Sequence, residues 1–349
     1  MPDSMLSAIQ GPEAGGESVR KREPRERAHD VLVVGDANVD IIVPYPRFLN
    51  EERTRVDYPT PVVQGGGTCA NTAVALAKLD VGVTFVGTVG DDQYGRFVRD
   101  DLAAAGVDTT GLVVDSRLNT VGVFAFVDEH GERYLWGWPR VDQSFKVLDP
   151  AMVPFHRMHA ADWVHSSGMS LVYDTTARST IIEIFRQAHE SGVPTSFDLN
   201  LRVDNGVLDP SFAQALARIL PYVDHLLGSG PDEFAYLGGG DWQDNARALA
   251  TGSRVVVARD GGRGSIAFVN GRRLDVPAFN VSVEDTIGAG DSYNAGYIRA
   301  ILDGAGLARA LRDGNAVSAY KVERKGARST PTAEELAAFL TKHGEVADG

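Results

Sequence analysis

The chain is best read outward from the stretch Glu284-Asp285-Thr286-Ile287-Gly288-Ala289-Gly290-Asp291-Ser292-Tyr293-Asn294-Ala295-Gly296. Apolar residues recur at helical spacing from Ala295 to Leu302, and Gly304 is typical of a helix end. The glycines therefore fall in the first turn of a predicted helix, where backbone N–H groups have no intrahelical acceptor and the helix dipole is positive. Small residues let an anion approach these N–H groups, so the turn is suited to hold a phosphoryl group.

Asp291 projects from the same turn and would lie beside the bound anion. A carboxylate repels a phosphate, so its presence there is unfavourable for passive binding. It is explained if Asp291 takes a proton from a hydroxyl group that attacks the phosphate. The alternative is that Asp291 only caps the helix and that Gly288 and Gly290 only form a tight turn.

These residues resemble the C-terminal signature D-T-x-G-A-G-D-x-[FY]-x-A-G of the ribokinase-like (PfkB) carbohydrate kinases. The resemblance implies that Asp291 is the catalytic base and that Gly288, Ala289 and Gly290 form an anion hole. It also implies ATP as phosphoryl donor, with Asp285 and Thr286 beside its phosphates, and allows a monovalent cation near the 285–291 loop. The motif G-x-x-x-x-G-K-[ST] does not occur in the sequence, which excludes a P-loop enzyme.

A first candidate substrate segment follows an apolar run, residues 31–34, that predicts a buried parallel strand. Polar residues just past such a strand are where open α/β sheets bind ligands. Asn38 and Asp40 alternate with apolar residues and would point to one side of an extended segment. The segment also resembles the family's G-x-x-N-x-D opening, in which Asp40 would bind sugar hydroxyls and Asn38 would assist. The alternative is a turn that uses Asn and Asp for backbone hydrogen bonds.

A second candidate substrate segment is Gly65-Gly66-Gly67-Thr68-Cys69-Ala70-Asn71, followed by a predicted helix from Thr72 to Leu79. It resembles the family signature G-G-x-x-x-N-x-A. The resemblance implies that the Gly66 and Gly67 backbone meets the sugar and that Asn71 bonds a hydroxyl, whereas the alternative makes Asn71 a helix N-cap. Ribokinase-type members often carry Lys where Thr68 stands, which argues against ribose as the substrate.

Two downstream segments resemble further family blocks. Residues 198–202 match D-x-N-x-R, and Arg202 would suit a phosphate or a carboxylate, or else form a structural salt bridge. Residues 230–233 occupy the place of the N-x-x-E block, which is linked to magnesium and phosphate. Glu233 matches, while Gly230 stands where Asn is usual. An ATP phosphate chain needs a hard cation, so Mg²⁺ is expected.

The nucleotide side is predicted from two further resemblances. The family's x-x-G-x-x-G loop is matched by Gly261 and Gly264 and preceded by Arg259. The segment with Asn315 and the later Gly326 resemble the helix and loop that border adenine.

Strand-then-helix alternation through the chain predicts a three-layer α/β/α fold with a mainly parallel central sheet. Two segments of alternating pattern, residues 41–63 with four prolines and residues 120–138, predict short strands outside the main sheet. The family resemblance implies that these strands form a small β lid over the sugar. Trp136, Trp138 and Arg140 could face the substrate, although packing within the lid better explains the tryptophans. The resemblance further implies a homodimer formed through the lid. The predicted units are a disordered leader (1–28), the core (29–42, 64–118 and 142–342), the lid (43–63 and 119–141) and a tail (343–349).

The composition of the chain excludes some classes of function. The net charge of −13 argues against a nucleic-acid-binding protein, because such a surface needs a basic footprint. Cys69 is the single cysteine, and no apolar run approaches the ~20 residues of a membrane span, so a cytoplasmic enzyme is expected.

The sequence thus predicts an ATP-dependent kinase that phosphorylates a primary hydroxyl of a small sugar or sugar acid, with fructose or 2-keto-3-deoxygluconate favoured. The alternatives are a nucleoside kinase of the adenosine type and a catalytically silent sugar-binding regulator.

Overall fold

A computed structural model describes residues 27–44, 60–127, 133–201, 203–204 and 206–344. Arg202, nearly all of the predicted leader, the middle of both lid segments and most of the C-terminal tail lie outside the described residues.

The strands alternate with helices along the described chain. The strands are β1 Asp30–Val34, β2 Asn38–Pro44, β3 Val62–Gly66, β4 Gly82–Gly90, β5 Asp108–Asp115, β6 Gly122–Val127, β7 Arg133–Trp138, β8 Trp163–Ser167, β9 Thr195–Asp198, β10 Val203–Asp204, β11 Val207–Leu208, β12 His225–Ser229, β13 Val255–Arg259, β14 Ser265–Val269 and β15 Arg272–Val276. The helices are α1 Thr68–Lys78, α2 Gln93–Ala104, α3 Phe155–Ala160, α4 Thr176–Glu190, α5 Pro210–Ile219, α6 Trp242–Leu249, α7 Ala289–Leu302, α8 Leu307–Val322 and α9 Ala333–His343. None of the helices in the described part of the chain combines the length and apolar character needed to cross a membrane.

The main sheet has nine strands in the order β15-β14-β13-β12-β9-β8-β1-β4-β5. All neighbours from β13 to β5 run parallel, and β14 and β15 add an antiparallel edge. The predicted mainly parallel sheet is confirmed.

Helices cover both faces of this sheet. In β1, Val31 and Val33 pack with α1, α2 and α7 to α9, whereas Leu32 and Val34 pack with α3 to α6. Alternate side chains of a strand point to opposite faces, so this continuous apolar run is buried on both sides. The result is the predicted three-layer arrangement.

A second, four-stranded sheet has the order β3-β2-β6-β7. Its central pair β2–β6 is parallel and the outer pairs are antiparallel. The chain leaves the main sheet at Gly35, directly after β1, and β2 already belongs to the small sheet. Residues 38–42 and 64–66 therefore lie in the small sheet, although the boundaries expected from the sequence place them in the core.

The topology brings several carboxyl ends of parallel strands to one edge. In the main-sheet register, Ser229 at the end of β12 pairs with Arg259 at the end of β13, and Leu227 pairs with Asp198 at the end of β9. The first turn of α7 contacts these strand ends through Arg259. This edge is the place where open α/β sheets bind ligands.

Candidate active site

The glycine-rich turn leads directly into α7. Its N-cap is Gly288, with φ of 74°, and Asp291 is the third residue of the helix rather than its cap. A Cβ at Gly288 would overlap the backbone carbonyl of Ala327, so both the left-handed conformation and the close approach favour glycine. The Ala289 N–H donates to the Thr286 carbonyl at 3.2 Å and closes the turn. Helix geometry leaves the N–H groups of Gly290 and Asp291 without intrahelical acceptors.

The Asp291 carboxylate is buried, with 9% of the residue exposed. Its Oδ2 accepts a hydrogen bond of 2.9 Å from Asn71 Nδ2 on α1. Burial raises the pKa of Asp291 to about 7, against the Asn71 hydrogen bond and with a contribution from the negative charge of Asp198. A pKa near neutrality is the value at which a general base is most effective at physiological pH.

Arg328 orients Asn71 from the other side. Its Nε donates to Asn71 Oδ1 at 3.0 Å, its Nη2 donates to the Gly66 carbonyl at 3.2 Å, and its Nη1 pairs with Asp101 of α2. Because the Asn71 oxygen accepts from a guanidinium, its NH₂ group must be the one that faces Asp291. Sequence reasoning missed Arg328. Its only signal was its position two residues after Gly326, in a segment expected to border adenine.

On the candidate sugar side, the carboxylate of Asp36 contacts the start of α1. The Asp36 oxygens accept from the Thr68 and Cys69 N–H groups at 2.9 and 3.2 Å, so Asp36 satisfies the first turn of the helix. Gly67, with φ of 97°, is the N-cap residue, and α1 begins four residues before the predicted Thr72. Asn71 lies within the first helical turn and is therefore not an N-cap.

Asn38 and Asp40 lie next to this turn. Asn38 Nδ2 donates to Asp40 Oδ1 at 2.7 Å, and a Cβ at Gly66 would overlap Asp40 Oδ2. Burial raises the pKa of Asp40, while the Asn38 hydrogen bond and the Arg328 charge oppose the rise. Arg328 therefore joins two parts of the site. It contacts Gly66, which lies against Asp40, and it contacts Asn71, which donates to Asp291.

Arg259, predicted to contact the nucleotide, lies under the α7 turn. Its Nη2 pairs with Asp198 Oδ1 at 2.7 Å, and its Nη1 donates to Asn294 Oδ1 at 2.7 Å and, more weakly, to the Gly290 carbonyl at 3.4 Å. Although burial works against its charge, Asp198 and Glu233 raise the pKa of Arg259. Asp198 also accepts from Asn294 Nδ2 at 2.9 Å. Neither Asp198 nor Asn294 was among the predicted site residues.

Glu233, the predicted magnesium residue, bridges two chain segments. Its Oε1 accepts from the Leu201 N–H at 2.7 Å and its Oε2 from the Ser229 N–H at 2.5 Å. Burial and the charge of Asp198 raise the pKa of Glu233 to about 7, against the effect of Arg259 at 3.8 Å. Across the described ranges, no three His, Cys, Asp or Glu side chains converge as a metal site would require.

Asp285 stabilises the residues that lead into the glycine-rich turn. Its Oδ1 accepts from the Ile287 N–H at 3.0 Å and its Oδ2 from the Gly326 N–H at 2.8 Å. Gly326 has φ of 93°, so the 321–328 segment turns sharply where it meets this carboxylate. Thr286 is exposed and contributes its carbonyl to the turn.

The other predicted nucleotide residues form the neighbouring wall. Gly261 and Gly264 have φ of 52° and 103°, and the Asp260 N–H donates to the Gly264 carbonyl at 2.7 Å, which closes their loop. Asn315 is buried on α8 and donates through Nδ2 to the carbonyls of Val276 and Pro277, both at 3.2 Å. In this structure Asn315 therefore holds α8 against the end of β15.

The aromatic residues of the small sheet lie on the face opposite Asp40. In the register of this sheet, Asp40 pairs with Val123, and the next residue of β6, Phe124, pairs with Trp136. Phe124 stacks on Trp136 and Trp138, at ring-centroid distances of 5.9 and 4.5 Å. Since neighbouring residues of a strand alternate between faces, the tryptophans do not line the Asp40 side. Arg140 is exposed in the segment that follows β7.

Known proteins that are similar to this chain are carbohydrate kinases. A sequence model of the pfkB family carbohydrate kinase matches residues 28–334. The chain is 34% identical over 313 residues to the ATP-dependent ribose-1-phosphate kinase of Halopiger xanaduensis, covering 89% of this chain and 98% of that protein. It is 28% identical over 324 residues to the 5-dehydro-2-deoxygluconokinase of Bacillus subtilis, with coverage of 89% and 95%. The solved structure of fructokinase with bound ATP from Xylella fastidiosa is similar, with a TM-score of 0.77, 26% identity and coverage of 90% and 99%.

These relatives confirm the predicted fold and the predicted enzyme class, a phosphotransferase that acts on a sugar hydroxyl. The family match extends from before β1 to the start of α9 and so includes the whole candidate site. This chain therefore belongs to the pfkB family of carbohydrate kinases.

Proposed function

We propose that this kinase transfers the γ-phosphate of ATP to a primary hydroxyl of a small sugar, with Asp291 as the base. The carboxylate takes the hydroxyl proton as the oxygen attacks the γ-phosphorus and the bond to the departing ADP breaks. The N–H groups of Gly290 and Asp291 stabilise charge on the transferring group, whereas the Ala289 N–H already donates to the Thr286 carbonyl. One observation carries the proposal. A buried carboxylate with a pKa raised to about 7 lies on the first turn of a helix whose N–H groups lack intrahelical acceptors.

The sugar is held by groups that surround the base. Asp40 and Asn38 would accept and donate hydrogen bonds to hydroxyls, and the backbone at Gly66 and Gly67 lets the sugar lie close to the chain. Asn71 would bond the reacting hydroxyl while it donates to Asp291. This arrangement brings the acceptor oxygen to the base and to the phosphate together, which lowers the entropic barrier of a two-substrate reaction.

We propose a sugar that carries a negative charge, in the class of sugar acids or sugar phosphates. Arg202, which the sequence predicts as an anion ligand for the substrate, lies outside the described residues. The two curated relatives are named for ribose 1-phosphate and for 5-dehydro-2-deoxygluconate, both anionic. This narrows the prediction from the sequence, which favoured either neutral fructose or anionic 2-keto-3-deoxygluconate.

Magnesium is proposed to accompany ATP, and Glu233 is the residue that would orient its water shell. Bound magnesium would neutralise charge on the phosphate chain. Because both Glu233 oxygens already accept backbone N–H groups, this chain would act on the cation through water rather than as a direct ligand.

A substrate panel tests the function. Purified enzyme is assayed with ATP and magnesium against ribose 1-phosphate, 5-dehydro-2-deoxygluconate, 2-keto-3-deoxygluconate, fructose, ribose and adenosine. The highest kcat/KM is expected with one of the three anionic sugars. Preference for adenosine would favour the nucleoside kinase alternative, and ATP binding without turnover of any sugar would favour the silent regulator.

The small sheet supports a further proposal, a homodimer formed through its outer face. Tyr134 and Trp136 are 67% and 52% exposed, and Val63 lies on the same face with 42% exposed. Clustered large apolar side chains at a surface are typical of interaction sites. A second copy of the chain is the expected partner.

A further inference from the structure

Lys321 is a buried cation that the proposed chemistry does not use. Its side chain is 0% exposed at the end of α8, and its Nζ donates to the backbone carbonyl of Asp285 at 2.7 Å. The same ammonium lies 3.6 Å from Asp285 Oδ2. A lysine ammonium is costly to remove from water unless it is paired and hydrogen-bonded. Its burial here therefore depends on the oxygens of Asp285.

Asp285 in turn fixes the glycine-rich turn. Its carboxylate accepts from the Ile287 and Gly326 N–H groups, and the Glu284 and Asp285 N–H groups both donate to the Val322 carbonyl. These contacts join the turn to the segment that follows α8. The Lys321 ammonium supplies positive charge at the centre of this junction.

The resemblance in the sequence allowed a monovalent cation near the 285–291 loop, and the residues present do not fit one. An alkali cation would need carbonyl and carboxylate oxygens on this loop. The Asp285 carbonyl and carboxylate are such oxygens, and an ammonium already contacts the first and pairs with the second. Two cations that share this set in a buried site would repel each other strongly, because the interior screens charge far less than water does.

We propose that the Lys321 ammonium replaces the alkali cation, so that this kinase works without K⁺ or Na⁺. Lys321 is a positioning residue. Its side chain is fully buried and acts by holding Asp285, and therefore the turn that presents the Gly290 and Asp291 N–H groups. The proposal rests on the proposed kinase function only for its activity measurement.

The first test uses the wild-type enzyme. Kinase rates and melting temperatures are measured in choline chloride, NaCl and KCl at equal ionic strength, so that general screening is constant. We expect rates that agree within about two-fold and no shift in melting temperature specific to K⁺. Activation by K⁺ of about ten-fold or more, or stabilisation by K⁺ that choline does not give, would overturn the proposal.

The second test uses variants and needs no turnover. Lys321→Ala removes the ammonium and leaves space beside Asp285, so its melting temperature in choline chloride should fall and KCl should restore part of it by mass action. Lys321→Met fills the space without charge and should lose stability with no rescue by KCl. Lys342→Ala, at an exposed position of α9, is the matched control and should behave as wild type.

These measurements separate the two proposals. If no sugar is phosphorylated, the proposed function fails, while the melting temperatures still report on Lys321. If Lys321→Met matches wild type in stability and rate in choline chloride, the inference about Lys321 fails and the kinase function stands. If neither variant folds, the salt dependence of the wild-type enzyme decides the question.

Discussion

The Asn71–Asp291 hydrogen bond predicts a defined change in the pH dependence of the reaction when Asn71 is replaced by Ala. The bond of 2.9 Å favours the charged carboxylate and opposes the burial that raises the pKa of Asp291 to about 7. The base must be unprotonated to accept a proton, so wild-type activity should rise with pH through about 7. Without the bond, the pKa of Asp291 should rise further and the rise in activity should move to higher pH.

The magnitude follows from the strength of a hydrogen bond to a charged group. Such a bond contributes about 1.5–3 kcal/mol, and one pKa unit corresponds to about 1.36 kcal/mol, so the pKa of Asp291 should rise by about 1–2 units. About half of the wild-type enzyme would be active at pH 7, against about 1–10% of Asn71→Ala. The rate of the variant at pH 7 should therefore be lower by about 5- to 50-fold and should largely recover near pH 9.

The assay is the pH profile of kcat for both enzymes under the same saturating ATP and sugar, because the difference between the two profiles is the readout. Asn38→Ala is the matched control. It removes an amide that bonds Asp40 rather than the base, so it should raise KM without moving the acid limb. A loss of rate in Asn71→Ala that is equal at every pH would refute the reasoning, since it would show that Asn71 does not tune the base.

Other variants test separate parts of the site. Asp291→Asn should lower kcat by at least ~10²-fold. Burial raises the pKa of Asp291 from 3.8 to about 7, so the ionised carboxylate lowers the stability of the folded protein when the pH is above this range. The same variant should therefore have a higher free energy of unfolding in urea at pH 8, by at most ~4 kcal/mol. Gly288→Ala forces a side chain into a left-handed turn against Ala327, and chemical denaturation should show a loss of about 1–3 kcal/mol, together with loss of activity. Arg328→Lys keeps the charge but cannot keep the contacts with Asn71, Gly66 and Asp101 together. Asn71 would then be held less firmly against the base, and the acid limb of the pH profile of kcat should move to higher pH. If Arg328 were purely structural, the substitution would lower kcat equally at every pH. Trp136→Glu should shift the sedimentation coefficient from dimer to monomer, and an unchanged value would argue against assembly through the small sheet.

Local patterns in the sequence were sufficient for the fold and for much of the site. The apolar run of β1 predicted a strand buried on both faces, and the glycines before α7 predicted a helix start with free N–H groups. Both signals depend only on neighbouring residues and on helix or strand geometry, so they can be recognised without knowledge of the tertiary structure. The same is true of Asn38 and Asp40, whose alternation set them on one face of β2.

Long-range pairs were beyond such patterns. Asn71 and Asp291 are 220 positions apart, and Arg328 lies 257 positions from Asn71. A single arginine or lysine in a loop or at a helix end carries no periodic signal, and its value depends on the partner it meets after folding. Arg328 was therefore missed for the same reason as Lys321. Asn71 was recognised, but only its position inside the first turn of α1 rules out the simpler N-cap interpretation.

The charges around the base support the proposal that ATP enters the site together with a cation. Among the residues that the structure describes, Arg259 and Arg328 lie near Asp291, and each already has a carboxylate partner, Asp198 for Arg259 and Asp101 for Arg328. These pairs are close to neutral as units, and the N–H groups of the α7 turn add dipoles rather than net charge. A phosphate chain entering this site would therefore meet a surplus of carboxylates that includes Asp291 and Glu233. A hard cation that arrives with ATP would offset this repulsion, which is the role proposed for magnesium.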